Sequence, residues 1–290
     1  MPELPEIETI KNGLTEKALK KPILRVAINN ASVLHGNKND FIKILTGREF
    51  TNIKRRGKML IFTLGKSGAT EKQYYLLARL GMTGRLVLFG EEDSLWGGES
   101  FKDKKSFSHK HCHVVFEFKD GIILLFCDTR RFGYMEIVDT AGLDEKMKSF
   151  GPEPLSGDFT LALFRKVLSG KKTNVKALLL NQKHIAGIGN IYADEILFDA
   201  GVLPTRLAGN LSADEAKAIY VATKKILKKA VAKRGTTFSD YVDAEGNIGG
   251  FKKYLKVYGR EGEKCLGCSG KVHKKRLAGR GTHFCPRCQT

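Results

Sequence analysis

Apolar positions along the chain change their period twice. Over residues 3–19 they recur at Ile7, Ile10 and Leu14, one face of a helix. Pro5 suits the first turn of that helix, and Glu3 and Glu6 suit the positive end of its dipole. From about 23 to 138 the chain breaks into short strand-like runs: ILRVAI, KMLIFTL, YYLLARL, RLVLF, HVVFEF, IILLF and YMEIV. Gly, Asp, Asn and Lys punctuate them, and many short strands at this spacing predict a β-sandwich or barrel. Residues 89–108 interrupt the series as a long polar loop with the only tryptophan, Trp96. After Gly151-Pro152-Glu153-Pro154 the period becomes helical, with helices expected at 159–168, 173–182, 190–200 and 212–233. The last opens on a capping box, Ser212-Ala213-Asp214-Glu215, and ends in Lys228, Lys229 and Lys233. A glycine-rich turn, Ala186-Gly187-Ile188-Gly189-Asn190, leads into the third helix, and residues 235–264 read as an exposed loop. No repeat or low-complexity tract appears. The pattern predicts an α+β multidomain chain divided into 1–140, 141–240 and 241–290.

The 290 residues suffice for two domains with a sizeable core, and the 42% hydrophobic content is that of a globular protein. Charge changes the picture more. Fifty Lys+Arg against 31 Asp+Glu give +19, a self-repulsion that implies a polyanionic partner. No Lys-rich amphipathic helix with an aromatic face is available for a membrane surface, which leaves nucleic acid. The N-terminus lacks the basic and apolar regions of a signal peptide, and no apolar run approaches a membrane span. A soluble, intracellular, cytoplasmic protein is expected.

Four of the six cysteines stand as Cys265-x2-Cys268 and Cys285-x2-Cys288, with 16 residues between the pairs. Two such pairs supply four thiolates to one tetrahedral Zn²⁺. The intervening segment is long enough for a β-hairpin and carries Lys271, Lys274, Lys275, Arg276 and Arg280 without an acidic residue. A small basic module that touches nucleic acid fits this charge; a zinc knuckle that only staples the C-terminus is the plainer alternative. Cys112 and Cys127 lie in apolar strand-like stretches and read as small core residues, with no disulfide expected between them.

The pieces together resemble the formamidopyrimidine-DNA glycosylase family. The resemblance rests on PELPEIE at 2–8, RRGK at 55–58, LGMTG at 80–84 and DTRRFG at 128–133. It continues through QKHIAGIGNIYADEIL at 182–197, TTFSDYVDAEG at 236–246, VYGREGEKC at 257–265 and GRGTHFCPRCQ at 279–289, in the family's order. It implies an N-terminal β-sandwich with its N-terminal helix, a helix–two-turns–helix domain and a zinc-finger β-hairpin, with duplex DNA in the cleft between them. Also implied are one structural zinc as sole cofactor, oxidised or abasic duplex DNA as partner, and a monomer.

Pro2 follows the initiator Met1, whose removal would expose a secondary amine able to attack C1′ of a damaged nucleoside. An α-amino group titrates near ~8, so a neutral fraction exists at neutral pH. The plain reading of Pro2 is a helix start. The family pattern gives Glu3 the acid/base work beside that amine. Glu6, one turn on, can face the same pocket and is grouped with the DNA-contacting residues. Lys58 resembles the lysine that contacts the lesion-flanking phosphate. Met82, Arg130 and Phe132 match the three residues that fill the hole left by an everted base; taken singly, Met82 and Phe132 would pass as core. Asn190 opens a helix after two glycines, where free N–H groups suit a phosphate. Arg280 takes the place of the zinc-finger arginine that grips a phosphate, and 236–250 matches the loop that closes over an oxidised purine.

Three positions depart from the family pattern: Arg79 where a histidine is expected, Cys112 where an acidic residue is common, and Asn181 where Asp is usual. The implied activity is that of a bifunctional glycosylase/AP lyase for oxidised purines. Two rivals stand beside it, an endonuclease VIII-like relative preferring oxidised pyrimidines and a non-catalytic DNA-binding protein. Leu4 after Pro2-Glu3 and the 236–250 loop favour the first reading over the pyrimidine branch.

Overall fold

The structure is a computed structural model and describes residues 2–66, 72–90 and 111–290. The chain forms two compact units. The first takes Met1–Lys148 together with Arg234–Gly250, and the second takes Ser149–Lys233 with Phe251–Thr290. The expected segments 1–140, 141–240 and 241–290 are each continuous, whereas both units here are assembled from two stretches of chain.

The first unit begins with helix α1 (Leu4–Ala18), which buries Leu4, Ile7, Ile10, Leu14 and Ala18. Among the described residues nine strands follow: β1 (Ile23–Ile28), β2 (Leu34–His35), β3 (Phe50–Arg56), β4 (Met59–Leu64), β5 (Tyr74–Arg79), β6 (Gly84–Phe89), β7 (Cys112–Phe118), β8 (Ile123–Asp128) and β9 (Tyr134–Asp139). They form a four-stranded sheet in the order β1-β7-β8-β6 and a five-stranded sheet in the order β2-β9-β5-β4-β3. Alternation along each strand explains the sandwich. Leu86, Leu88, Val114, Phe116, Leu124 and Phe126 of one sheet share a core with Phe50, Leu60, Phe62, Leu76 and Met135 of the other. Phe50 joins the layers, with its ring centroid 4.7 Å from Phe62 and 6.1 Å from Phe116. The seven expected runs are all strands. The sequence pattern missed β2 and β3, and also helices α2 (Lys38–Leu45) and α3 (Thr140–Lys148). In β3, FTNIKRR, polar residues fill most positions and mute the alternation.

The second unit holds α4 (Leu161–Leu168), α5 (Val175–Leu180), α6 (Asn190–Asp199) and α7 (Ala213–Ala232), then the hairpin β10 (His273–Leu277) and β11 (Arg280–Phe284). These are the four expected helices and the expected hairpin. The Ser212–Glu215 capping box forms reciprocally, at 2.7 and 3.1 Å. Helix α6 is the centre of the unit: every residue from Ile191 to Phe198 is buried, including Asp194 and Glu195. Among the described residues no helix is long and apolar enough to cross a membrane.

Two expectations need correction. Residues 235–264, which include a 3₁₀ turn at Phe251–Tyr254, are not an exposed loop: Tyr241, Asp243, Ala244, Phe251, Leu255 and Val257 are all buried. Tyr241 and Ala244 belong to the sandwich core, and Leu88 N–H donates to the Ala244 carbonyl at 3.0 Å. Cys112 and Cys127 are joined in a disulfide, contrary to expectation. They are direct partners across the antiparallel β7–β8 ladder, so pairing register brings the two sulfurs together. Most of the expected polar loop at 89–108, with Trp96, lies outside the described residues.

Candidate active site and nucleic-acid interface

At the start of α1, Pro2 is buried and Glu3, the N-cap residue, is 2% exposed. Glu6 is also buried and spends its carboxylate on backbone. One oxygen accepts the Glu3 N–H at 2.8 Å, and the other accepts the Thr236 N–H at 2.7 Å. A carboxylate so placed holds Glu3 and residues 235–236 in register rather than presenting an outward face. Gly235 makes the approach feasible: at φ +77° a Cβ would lie 2.6 Å from a Glu6 carboxylate oxygen. The Tyr241 hydroxyl, held by the Arg234 carbonyl at 3.1 Å, is pushed well above the ordinary phenol range by burial, with the Glu6 charge adding to the shift. It therefore stays a neutral donor.

Lys58 lies in the two-residue turn Gly57-Lys58 that joins β3 to β4. The turn is tied to α1 through Arg55, which donates to Glu8 at 2.8 Å and to the Gly57 carbonyl at 3.1 Å. Burial raises the Glu8 pKa, but hydrogen bonds and charge from Lys11 and Arg55 outweigh it and leave the group below its ordinary value of 4.5.

Met82 sits half-buried in the turn between β5 and β6, while Arg130 and Phe132 are exposed in the turn between β8 and β9. Phe132 is 57% exposed, and the Arg130 guanidinium lies 4.7 Å from its ring centroid. Sequence reasoning assigned the three side chains but missed what joins their turns. Asp128, 1% exposed, accepts the Thr83 hydroxyl from one turn, and the Arg130 N–H at 3.1 Å and Gly133 N–H at 2.7 Å from the other. The backbones also touch: a Cβ on Gly81 would stand 2.6 Å from the Gly133 nitrogen. An aspartate inside a DTRRFG motif, between a buried strand and an exposed tip, was the available signal.

In the second unit, Asn190 is the first residue of α6, with Gly189 as N-cap. Gln182 shapes the turn before it, accepting the Gly187 N–H at 2.8 Å and donating to the Ile188 carbonyl at 2.9 Å. Asn181 accepts the Lys183 N–H at 3.0 Å, so this departure from Asp still closes a local turn. The Asn190 amide donates to the Gly281 carbonyl at 2.9 Å, beside Arg280. Arg280 itself is exposed at the start of β11, opposite Leu277.

Acidic residues of α6 fix the neighbouring segments, and none was singled out from sequence. Asp194 pairs with Lys176 at 2.7 Å, both fully buried, and accepts the His283 N–H at 2.8 Å. Lys176 also donates to the Thr282 hydroxyl at 2.7 Å. Glu195 accepts the N–H groups of Lys256, Val257 and Tyr258 at 2.8, 2.9 and 2.8 Å. Burial pushes its carboxyl up, only partly offset by those three donors. Two adjacent acidic residues within the apolar run from Ile191 to Phe198 were the visible cue.

The Sγ atoms of Cys265, Cys268, Cys285 and Cys288 all lie within 4.8 Å of one another. The Cys265–Cys288 and Cys268–Cys285 separations are 3.8 and 3.6 Å. A Zn–S bond of ~2.3 Å in a tetrahedron demands sulfurs about 3.8 Å apart, so the four fit one structural zinc ion. Backbone N–H groups of Gly267 and Gly270 donate to Cys265 and Cys268 at 3.3 Å, which favours thiolates.

Comparison with known proteins gives a consistent result. Residues 1–135 match the formamidopyrimidine-DNA glycosylase N-terminal domain, 150–241 the formamidopyrimidine-DNA glycosylase H2TH domain, and 262–290 the zinc finger found in FPG and IleRS. The chain is 42% identical over 291 residues to the formamidopyrimidine-DNA glycosylase of Carboxydothermus hydrogenoformans, covering 100% of both. It is 40% identical over 292 residues to that of Listeria innocua, again covering 100% of both. Among solved structures it resembles a Lactococcus lactis FPG mutant in complex with Fapy-dG-containing DNA, with TM-score 0.87, 33% identity and 100% coverage of both chains. It also resembles the Lactococcus lactis Fpg in complex with DNA containing an abasic site, with TM-score 0.86, 33% identity and 99% coverage of both.

Proposed function

The chain belongs to the formamidopyrimidine-DNA glycosylase family, and from that premise we propose a bifunctional DNA glycosylase/AP lyase. It excises oxidised purines, 8-oxoguanine and formamidopyrimidines, from duplex DNA and cleaves at abasic sites. The observation that carries the reading is the helix start: Pro2 and Glu3 are buried together, and Glu6 fixes the Glu3 backbone at 2.8 Å. Such an arrangement holds an amine and a carboxyl in fixed relation, away from bulk water.

With Met1 removed, the Pro2 nitrogen forms a bond to C1′ as the bond to the damaged base breaks; the base leaves with the electron pair and takes up the proton that the Pro2 nitrogen gives up. Glu3 delivers a proton to the deoxyribose ring oxygen, which opens the sugar and leaves a cationic iminium. That charge acidifies C2′. Loss of the C2′ proton expels the 3′ phosphate, a second elimination expels the 5′ phosphate, and water returns free Pro2. Lys58, Asn190 and Arg280 bind phosphates and set the strand position. Met82, Arg130 and Phe132 occupy the vacated stack, with Arg130 hydrogen-bonding the orphaned base and Phe132 wedging a step. The four cysteines hold a structural zinc that keeps the β10–β11 hairpin folded.

The test is borohydride trapping on a duplex with one 8-oxoguanine opposite cytosine, read by denaturing gel and intact mass. A covalent complex mapping to Pro2 in a chain lacking Met1 is expected. Tight binding and complete Met1 removal without a crosslink would overturn the reading and favour a non-catalytic DNA binder. A strong preference for thymine glycol would move the substrate to oxidised pyrimidines.

A further inference from the structure

We infer that Asp128 is a positioning residue that couples the two void-filling turns, so that Met82 enters the duplex together with Arg130 and Phe132. The inference rests on the function proposed above. The three side chains come from two turns that are separate in sequence: Arg130 and Phe132 share one and stack at 4.7 Å, while Met82 stands on the other. Beneath them lies one buried carboxylate. It accepts from the Thr83 hydroxyl and the Arg130 N–H through one oxygen and from the Gly133 N–H, at 2.7 Å, through the other. Thr83 follows Met82 directly, and the residues at 130 and 133 bracket Phe132.

The backbone that carries the carboxylate is fixed from behind. The Asp128 N–H donates to the His111 carbonyl at 2.8 Å, and the His113 Nε2 lies 2.7 Å from the Asp128 carbonyl oxygen. Asp128 also pairs with Gly84 across the β6–β8 ladder, so the strand ends and the turns share one anchor. The chemistry requires an acceptor-only group. Both oxygens face backbone N–H donors, so an asparagine of the same shape must turn its NH₂ onto either the Gly133 or the Arg130 N–H; the Thr83 hydroxyl, which already accepts the Arg130 N–H at 3.1 Å, can rotate to accept and relieves neither contact. Such a donor–donor contact in a buried site loosens one turn relative to the other without removing any group that touches DNA.

The test uses full-length, zinc-loaded protein lacking Met1, as wild type, Asp128→Asn, Thr83→Val and the double variant. In single turnover on 8-oxoguanine opposite cytosine, Asp128→Asn is expected to excise about ten-fold more slowly. Cleavage at a preformed abasic site, where no base has to be extruded, should fall by less than about three-fold. Discrimination among the four opposite bases should narrow, because Arg130 no longer meets the orphaned base in one fixed pose. The double variant should be no slower than Asp128→Asn, since both substitutions break one network. Equal loss of excision and abasic cleavage, unchanged kinetics, or additive losses would overturn the coupling. Amide hydrogen exchange gives an arm independent of catalysis: Asp128→Asn and Thr83→Val should each lower protection in both 81–84 and 130–133. Loosening of only the turn that carries the substitution would sink the inference even if the enzyme is active. Absence of excision and trapping in the wild type would instead count against the proposed function, and the exchange result would still decide the coupling.

Discussion

The turns that carry Met82, Arg130 and Phe132 and the hairpin that carries Arg280 hold their candidate side chains by different means. The first pair grows from two sheets of four and five strands that share a core, and a buried carboxylate and a close backbone approach join one turn to the other. The hairpin is two strands of five residues with four of the five β10 positions exposed. Two strands alone are marginal in water. That hairpin therefore depends on a metal at its base and on the Lys176–Asp194 pair beneath it. Each unit is accordingly vulnerable in its own way: the sandwich to loss of packing, the hairpin to loss of a few charged contacts.

The largest test of that contrast is removal of the zinc. Structural zinc contributes roughly 10 kcal/mol to small folds of this kind. Cys285→Ser should release the metal, unfold β10 and β11 and abolish high-affinity DNA binding, while the first unit keeps its cooperative transition. Metal analysis, DNA titration and denaturant unfolding check this. Unchanged affinity would make the finger a staple only.

Next comes the buried pair. Asp194→Asn leaves a buried Lys176 without its counter-charge, an effect of about 3–5 kcal/mol. Denaturant unfolding should show it in the second unit alone, with weaker DNA binding through a displaced Arg280. Retained stability would mean the zinc by itself supports the hairpin.

Reduction of the Cys112–Cys127 disulfide probes the sandwich in the same way. Cross-linking residues 15 apart is worth about 3 kcal/mol in the chain-entropy account. Thermal unfolding with and without a thiol reductant should show a lowered midpoint but an intact fold, because the β7–β8 ladder and the shared core remain. Collapse of the first unit on reduction would erase the contrast with the hairpin.

The smallest expected effect concerns the placement of Lys58. Glu8 titrates below its ordinary value of 4.5 in the folded chain. Its contact with Arg55 and Lys11 therefore stabilises the fold above that value, and the contribution disappears as pH falls through the lowered one. Glu8→Gln should cost about 0.5–1 kcal/mol at neutral pH and nothing in strong acid. Parallel stability–pH curves for variant and wild type would show that the contact carries no such energy.

Sequence made much of this protein legible, because several of its determinants are local. Period-2 apolar runs give the strands they predicted, since alternate side chains of one strand share a face of the sheet. The cysteine spacing announces the zinc site because metal geometry constrains four thiolates however the rest folds. Ser212–Glu215 caps α7 within a single turn. Motifs likewise placed Pro2, Glu3, Lys58, Met82, Arg130, Phe132, Asn190 and Arg280 in the segments where they stand. Other features depend on partners far apart in the chain, and the packed fold alone settles them. Whether Asp128, Asp194 and Glu195 face water or carry buried N–H donors is set by packing, which no residue type reports. Cys112 meets Cys127 because strand register places them opposite each other. Residues 235–264 read as loop because their ladder partners are few, yet Tyr241 and Ala244 find the sandwich core and Thr236 finds Glu6, 230 residues earlier. Local chemistry wrote the elements and the reactive groups into the chain; long-range burial decided which carboxylates became their supports.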